Sequence, residues 1–167
     1  MKIRFEEKKD YDDVRNIHLS AFDGSGEAQL VELLREKASP IISMVAEEEG
    51  GNVVGHIIFS PVTLCDHDID IMGLAPVAIY PNYQKMGYGT NLIKKGLEEC
   101  KKMGYQGVVL LGHADYYPRF GFKASIEYGI SCEYDVPEEN FMALELVEGA
   151  FSKVSGKIKY HSAFSEL

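Results

Sequence analysis

Between Gln84 and Gly89 the chain reads QKMGYG, after an apolar stretch ending "GLAPVAIY" and just before a segment with helical periodicity. A helix start leaves about four backbone N–H groups unpaired and carries a partial positive charge, so it can hold an anion. Glycines at 87 and 89 remove the side chains that would keep a ligand from those amides. The same glycines would also serve a plain turn that binds nothing. Two familiar phosphate loops fail on the residues present. A P-loop needs Gly-Lys-Ser/Thr at the helix start, and "GYGTN" has no such lysine. A dinucleotide fingerprint needs a third glycine where Leu92 stands, and no acidic residue sits at the expected ribose position, which argues against a nicotinamide oxidoreductase.

The surrounding pattern predicts the elements that must position this turn. "KIRFEE" alternates as a strand does. Asp10 has the character of an N-cap for an amphipathic helix to about Phe22, with Val14, Ile17, Leu19 and Phe22 on its apolar side. "DGSG" breaks that helix, and a second one carries Leu30, Leu33 and Leu34 and ends before Pro40. "IISMVAEEE" and "NVVGHIIFS" flank Gly50-Gly51 as the arms of an antiparallel hairpin. A third strand is expected from about Ile69 to Ile79, with Pro76 at an edge or bulge because proline cannot donate to a ladder. A helix from Gly87 to about Met103 has Leu92, Ile93, Gly96, Leu97 and Cys100 on one face, lysines and glutamates on the other, and Gly104 as its closing residue. "GVVLLG" reads as a buried strand and "DYYPRFGF" as a short helix or turn, and the tail carries strands around "YGISCEY", "FMALELV" and "KIKYH". The expected order is β-α-α-β-β-β-α-β-α-β-β, an α/β class with a mixed central sheet and helices on both faces, in one domain spanning residues 1–167.

Composition narrows the function. Seventeen basic against 26 acidic residues give a net charge of −9, which repels a nucleic acid and suits an amine. No apolar run approaches the roughly 20 residues of a membrane span, and "MKIRFEEKKD" lacks the pattern of a signal or transit peptide, so the expected compartment is the cytoplasm. Cys65, Cys100 and Cys132 are odd in number and widely spaced, which suits free thiols better than a disulfide framework or zinc site. "CDHDID" lacks the glycine and closing glutamate of a calcium loop, so no metal is expected.

In its strand-to-helix context, Gln84-x-x-Gly87-x-Gly89 resembles the acyl-CoA-binding motif of the GNAT superfamily of N-acyltransferases. "YYPRFGF" strengthens the likeness, because Tyr117 stands five residues before Phe122 as a tyrosine does at the end of the GNAT core. The segment "GLAPVAIYPNYQKMGYG…GHADYYPRFGF" is similar to a bacterial subgroup of acetyltransferases, and the element order agrees from about residue 1 to 122. This resemblance implies a strand that ends in a bulge and splays from "VVLLG", with the pantetheine arm of acetyl-CoA paired along Val77 and Ile79. It also implies that the turn from Gln84 through Lys85, Met86, Gly87, Tyr88, Gly89 and Thr90 holds the pyrophosphate. The chain departs from the family at Leu110, where many members carry asparagine; His113 and Asp115 are the nearby polar residues.

The reaction so implied is direct attack of a neutral amine on the thioester, moving an acetyl group to a primary amine of a small molecule or peptide. A backbone N–H near Val77 would face the oxyanion, and Tyr117 would protonate the departing thiolate. Glu27, at the start of the second helix, and His56, in a central strand, are the candidates for the base. The alternative is a non-catalytic acyl-CoA-binding sensor or interaction module. A strand edge in the C-terminal half would allow a homodimer.

Overall fold

The computed structural model describes residues 1–166. Its frame is one mixed sheet built from nine strands. Strands β1 (Lys2–Phe5), β2 (Ile42–Glu47), β3 (Val53–Leu64) and β4 (Ile71–Ile79) run antiparallel to one another in chain order. β4 then pairs in parallel with β5 (Gly107–Leu111), which pairs antiparallel with β8 (Phe141–Glu145). Three short strands complete it. β6 (Lys123–Ala124) extends β8, while β7 (Ile130–Cys132) and β9 (Gly156–Lys159) pair with each other, and β9 joins the far end of β3.

The sheet is covered on both faces, and the alternation of side chains along the central strands says by what. Met44, Ile57 and Phe59 point toward α3 (Tyr88–Lys102) and pack on Leu92, Ile93 and Leu97. Val45 and Ile58 point the other way, against Val14 and Ile17 of α1 (Tyr11–Ala21) and Leu30 and Leu34 of α2 (Gly26–Lys37). A third cluster around Val62, Val109 and Phe151 seals the end formed by β5, β8 and β9. α3 ends as expected at Gly104, whose φ of +88° needs a residue without a side chain.

Three details differ from the expectation. Asp10 stands at the start of α1 but its side chain does not cap it. Its carboxylate instead takes two hydrogen bonds from the Arg4 guanidinium, at 2.7 and 2.9 Å, and one from the Glu7 amide. The Arg4 charge holds that carboxyl below the usual carboxylate range. Leu19, expected on the buried side of α1, is 38% exposed, and His18 is buried in its place. The segment after β5 agrees with its expectation, forming one 3-10 turn, Tyr117–Phe120. The tail carries four strands: β7, β8 and β9 fall on the three stretches expected as strands, and β6 is additional, its two residues too few to show a period.

Pro76 explains the opening in the sheet. In the β3–β4 register Ile57 faces Val77 and Phe59 faces Leu74, so Ile58 alone opposes both Ala75 and Pro76. That is a bulge on β4. The parallel ladder to β5 runs only from Ile71 to Gly73, and beyond it the two strands part.

Candidate active site

The gap between β4 and β5 is a cleft of about 670 Å³. Val77, Ala78 and Ile79 form one wall, and His113, Tyr116 and Tyr117 form the opposite one. Gly89 and Ile93 of α3 lie on its floor, and Ala21 and Phe22 at the end of α1 contribute the remaining side. Val77 and Ile79 are half-buried, as strand residues with an unpaired edge should be.

At one end the cleft meets the glycine turn. Pro81–Tyr83 forms a 3-10 turn, and the Gln84 side chain donates to the carbonyl of Ile79 at 3.2 Å, tying the turn to the end of β4. Lys85 and Gly87 then take positive φ, +64° and +91°, and α3 begins at Tyr88. Left-handed residues alternating with right-handed ones aim successive amides into one concavity, an anion-binding shape. For Lys85, an L-residue in that region, the conformation is strained, which is common where a loop is shaped for a ligand. Among the described residues, the amides of Lys85, Met86, Gly87, Tyr88, Gly89 and Thr90 donate to no backbone carbonyl. The Met86 side chain points away from the cleft, 62% exposed, into a neighbouring groove with Tyr83 and Tyr88.

A second hollow of about 380 Å³ adjoins the turn and reveals two residues that sequence reasoning did not single out for it. The Tyr116 hydroxyl lies 3.1 Å from Thr90 Oγ1, bridging the end of β5 to the start of α3. Arg119 stacks its guanidinium 4.3 Å from the centre of the Tyr116 ring and donates through Nε to the Tyr116 carbonyl at 2.7 Å. Its terminal nitrogens are thereby held beside a turn of six bare amides. The signal available in sequence was its position two residues after Tyr117, weak by itself.

Tyr117 is 9% exposed and boxed by aromatic rings, with Tyr116, Phe120 and Phe122 at 5.1, 6.2 and 5.9 Å. Gly112 makes room for it, since a Cβ there would collide with the Tyr117 ring. Burial, and next to it Tyr116, pushes its phenol up to about 12. It therefore keeps its proton near neutral pH, as a proton donor must. Leu110 is a core residue and Asp115 an exposed one, while His113 faces the cleft.

The two candidate bases lie elsewhere. Glu27 sits half-buried in the first turn of α2 and does not line the cleft, because the chain segment that reaches it is the preceding Ala21–Phe22. His56 is fully buried, and both its ring nitrogens are engaged, Nδ1 with His18 Nε2 at 2.8 Å and Nε2 with Ser43 Oγ at 2.7 Å. Among the described residues no three His, Cys, Asp or Glu side chains gather as a metal site, and no helix is long and apolar enough to cross a membrane.

A family model described as an acetyltransferase (GNAT) domain matches residues 2–125. The chain is 32% identical to the uncharacterized N-acetyltransferase YhbS of Escherichia coli strain K12 over 167 residues, 100% of both chains. It is 43% identical to the uncharacterized N-acetyltransferase YjhQ of the same strain over 139 residues, 80% of this chain and 76% of that one. Among solved structures, E. coli YhbS in complex with CoA superposes with a TM-score of 0.92 at 31% identity, covering 98% of this chain and 91% of that one. A GNAT family acetyltransferase from Brucella melitensis in complex with acetyl-CoA gives 0.80 at 35%, covering 98% and 97%.

Proposed function

The chain belongs to the GNAT family of acetyltransferases, and we propose that it moves an acetyl group from acetyl-CoA to a primary amine of a small molecule or peptide by direct attack. One observation carries the reading. Six amides without backbone partners open at the end of a cleft whose far wall holds a buried, protonated tyrosine. The amides suit a pyrophosphate, and Arg119 suits a phosphate oxygen beside it. The edges of Val77 and Ile79 suit the amides of a pantetheine arm, which would lie along β4 as a short strand.

With the thioester beside Val77, a neutral amine attacks the carbonyl carbon. The carbon–nitrogen bond forms as the carbonyl electrons move onto oxygen, where a backbone N–H near Val77 meets the charge. The amine passes its proton to water, the carbon–sulfur bond breaks, the thiolate takes the Tyr117 proton, and solvent returns a proton to the tyrosine. Glu27 does not line the cleft, and the buried His56 reaches it only through its neighbours.

Thermal unfolding at fixed protein concentration, with and without acetyl-CoA, CoA and NAD, tests the cofactor. A ligand at 100 times its Kd adds about 2.7 kcal/mol to the folded state. A rise with both CoA species and none with NAD supports the reading, and no rise with saturating acetyl-CoA sinks it. A panel of amines followed by thiol release then separates an enzyme from a non-catalytic acyl-CoA-binding module. Activity that Tyr117→Phe abolishes supports the enzyme, and binding with no release for any amine supports the module.

A further inference from the structure

Behind the α1 side of the cleft runs a chain of buried polar side chains drawn from five separate segments. Glu6, just after β1, is held by Arg35 of α2 and accepts a hydrogen bond from the Ser43 hydroxyl of β2 at 2.9 Å. Ser43 Oγ lies 2.7 Å from His56 Nε2 on β3, and His56 Nδ1 lies 2.8 Å from His18 Nε2 on α1. His18 and His56 are 1% and 0% exposed. The chain ends at His18 Nδ1, a buried nitrogen with no partner among the described residues.

The carboxylate end fixes every proton. Glu6 paired to Arg35 can only accept, so Ser43 donates to it and must accept from His56 Nε2–H. His56 Nδ1 is then an acceptor, and His18 donates through Nε2–H. The orphan at His18 Nδ1 is therefore a lone pair. The reverse order would leave an N–H buried there without an acceptor and turn the Ser43 lone pairs onto a carboxylate, both costlier.

His18 also governs the end of its own helix. Its carbonyl accepts the Phe22 amide at 3.2 Å, and its ring stacks parallel to Phe22, 6.1 Å between centroids and 7° between planes. Ala21 and Phe22 line the cleft, and His56 is the cross-strand partner of Ala78, which lines it too. The geometry points to His18 as a positioning residue: bonded to His56 as a neutral ring, it fixes Ala21 and Phe22 as the acceptor wall of the cleft, and protonation of the pair releases that wall. Phe22 is an acceptor wall only on the acetyl-transfer reading proposed above.

The release follows from the surroundings. A proton on His18 Nδ1 becomes a buried N–H with no acceptor, and one on His56 Nδ1 meets the N–H of His18. The charged groups facing the pair are Glu6, already occupied by Arg35, and Arg35 itself; β4 presents Ala78 and α1 presents Phe22. Burial, followed by Arg35, holds His18 down to about 4, and burial, followed by His18 and Arg35, holds His56 well below its ordinary value. The wall is thus locked at neutral pH and opens in acid.

The test is NMR on the full chain labelled with 15N-histidine and at Phe22, titrated from about pH 8 down through and below the His18 step expected at about 4. Both rings should be neutral Nε2–H tautomers at the start, and the Phe22 signals should shift with the same midpoint as His18. In His18→Phe that step should vanish from Phe22, while the affinity for acetyl-CoA by calorimetry stays within about threefold of the parent. Titration of His18 near its ordinary 6.5, an Nδ1–H tautomer, or a Phe22 indifferent to His18 protonation would overturn the assignment. If the variant fails to fold, the titration of the parent chain decides alone. If acetyl-CoA fails to bind the parent, the proposed function falls and the titration still reads the latch.

Discussion

The two sides of strand β4 treat polar groups in opposite ways. Toward β5, the strand leaves its partner after Gly73, and the turn beyond it presents six amides without backbone partners. Toward α1 and α2, Glu6, Ser43, His56 and His18 satisfy one another in an unbroken run that leaves a single lone pair free. The difference is access. An unpaired amide at an open helix start costs little, since water serves it until an anion arrives. A buried polar group with no partner carries the full desolvation penalty, so the sealed side must be paired to fold at all. Bare groups on the open side therefore speak of a ligand, and paired groups on the sealed side speak of position.

The contrast is sharpest at Tyr117. It stands on the open side but is itself mostly buried, and its hydroxyl is the proton source of the proposed reaction. Tyr117→Phe keeps the ring and its aromatic box. Acetyl transfer should fall by about a thousandfold, about 4 kcal/mol in the barrier, within the range for a general acid. The acetyl-CoA-dependent rise in melting temperature should persist. A loss of both together would place the hydroxyl in binding and blur the distinction between the two sides.

Acid should act first on the sealed side. The folded state resists a proton on His18 down to about 4, whereas the unfolded chain takes one near 6.5. The unfolded state thus binds more protons across that window, and stability falls as pH drops through it, by about 3 kcal/mol from His18. His56, held down by the same burial, adds in the same direction. Asp10, lowered from 3.8 by Arg4, contributes only in a lower window. Urea unfolding at pH 7.5, 6 and 5 checks this, and His18→Phe should flatten the slope between them. An unchanged midpoint from pH 7.5 to 5 would mean that the histidine pair is not sealed.

Gly89 allows binding and stability to be pulled apart on the open side. A Cβ there meets only Ile79 Cγ1 at 3.8 Å, an ordinary contact, so a side chain fits. In Gly89→Asp the carboxylate lies in the first turn of α3, where it favours the helix dipole. The same charge repels a pyrophosphate on the neighbouring amides. Acetyl-CoA affinity should fall by about 100-fold, about 2.7 kcal/mol, with the melting temperature of the free protein unchanged or raised. Equal affinity in the variant and the parent would return Gly87 and Gly89 to the role of a plain turn.

Much of the open side was legible in the sequence, because its requirements are local. A turn with positive φ and uncovered amides calls for glycine at 87, a bulge calls for something like Pro76, and Tyr117 lies at a fixed spacing from Phe122. The sealed side was hidden because its requirements are not local. His18 and His56 are 38 residues apart; His18 reads as an ordinary helix residue, and nothing in the sequence joins it to His56, which reads as a candidate base. Their contact depends on the register that sets Ser43 beside Ile58, and on a helix rotation that buries His18 and exposes Leu19, against the simple apolar pattern. Glu27 shows the same limit, since its place at the start of α2 was foreseeable but its absence from the cleft lining was not.

Arg119 gives the mildest test of the contrast, because it is a polar group on the open side that is only partly satisfied. Its Nε is spent on the Tyr116 carbonyl and its plane on the Tyr116 ring, which fixes the guanidinium without occupying its terminal nitrogens. A side chain fixed in this way loses little freedom when a phosphate arrives, so the contact retains more of its energy than a free surface lysine would. It is also exposed and screened by salt. Arg119→Ala should weaken acetyl-CoA by about fivefold, about 1 kcal/mol, and lessen the dependence of its affinity on salt. Arg119→Lys should recover the charge but not the stacking, and so fall between the two. Should Arg119→Ala bind as tightly as the parent at low salt, the anion would be held by the backbone amides of the turn without help from the β5 side.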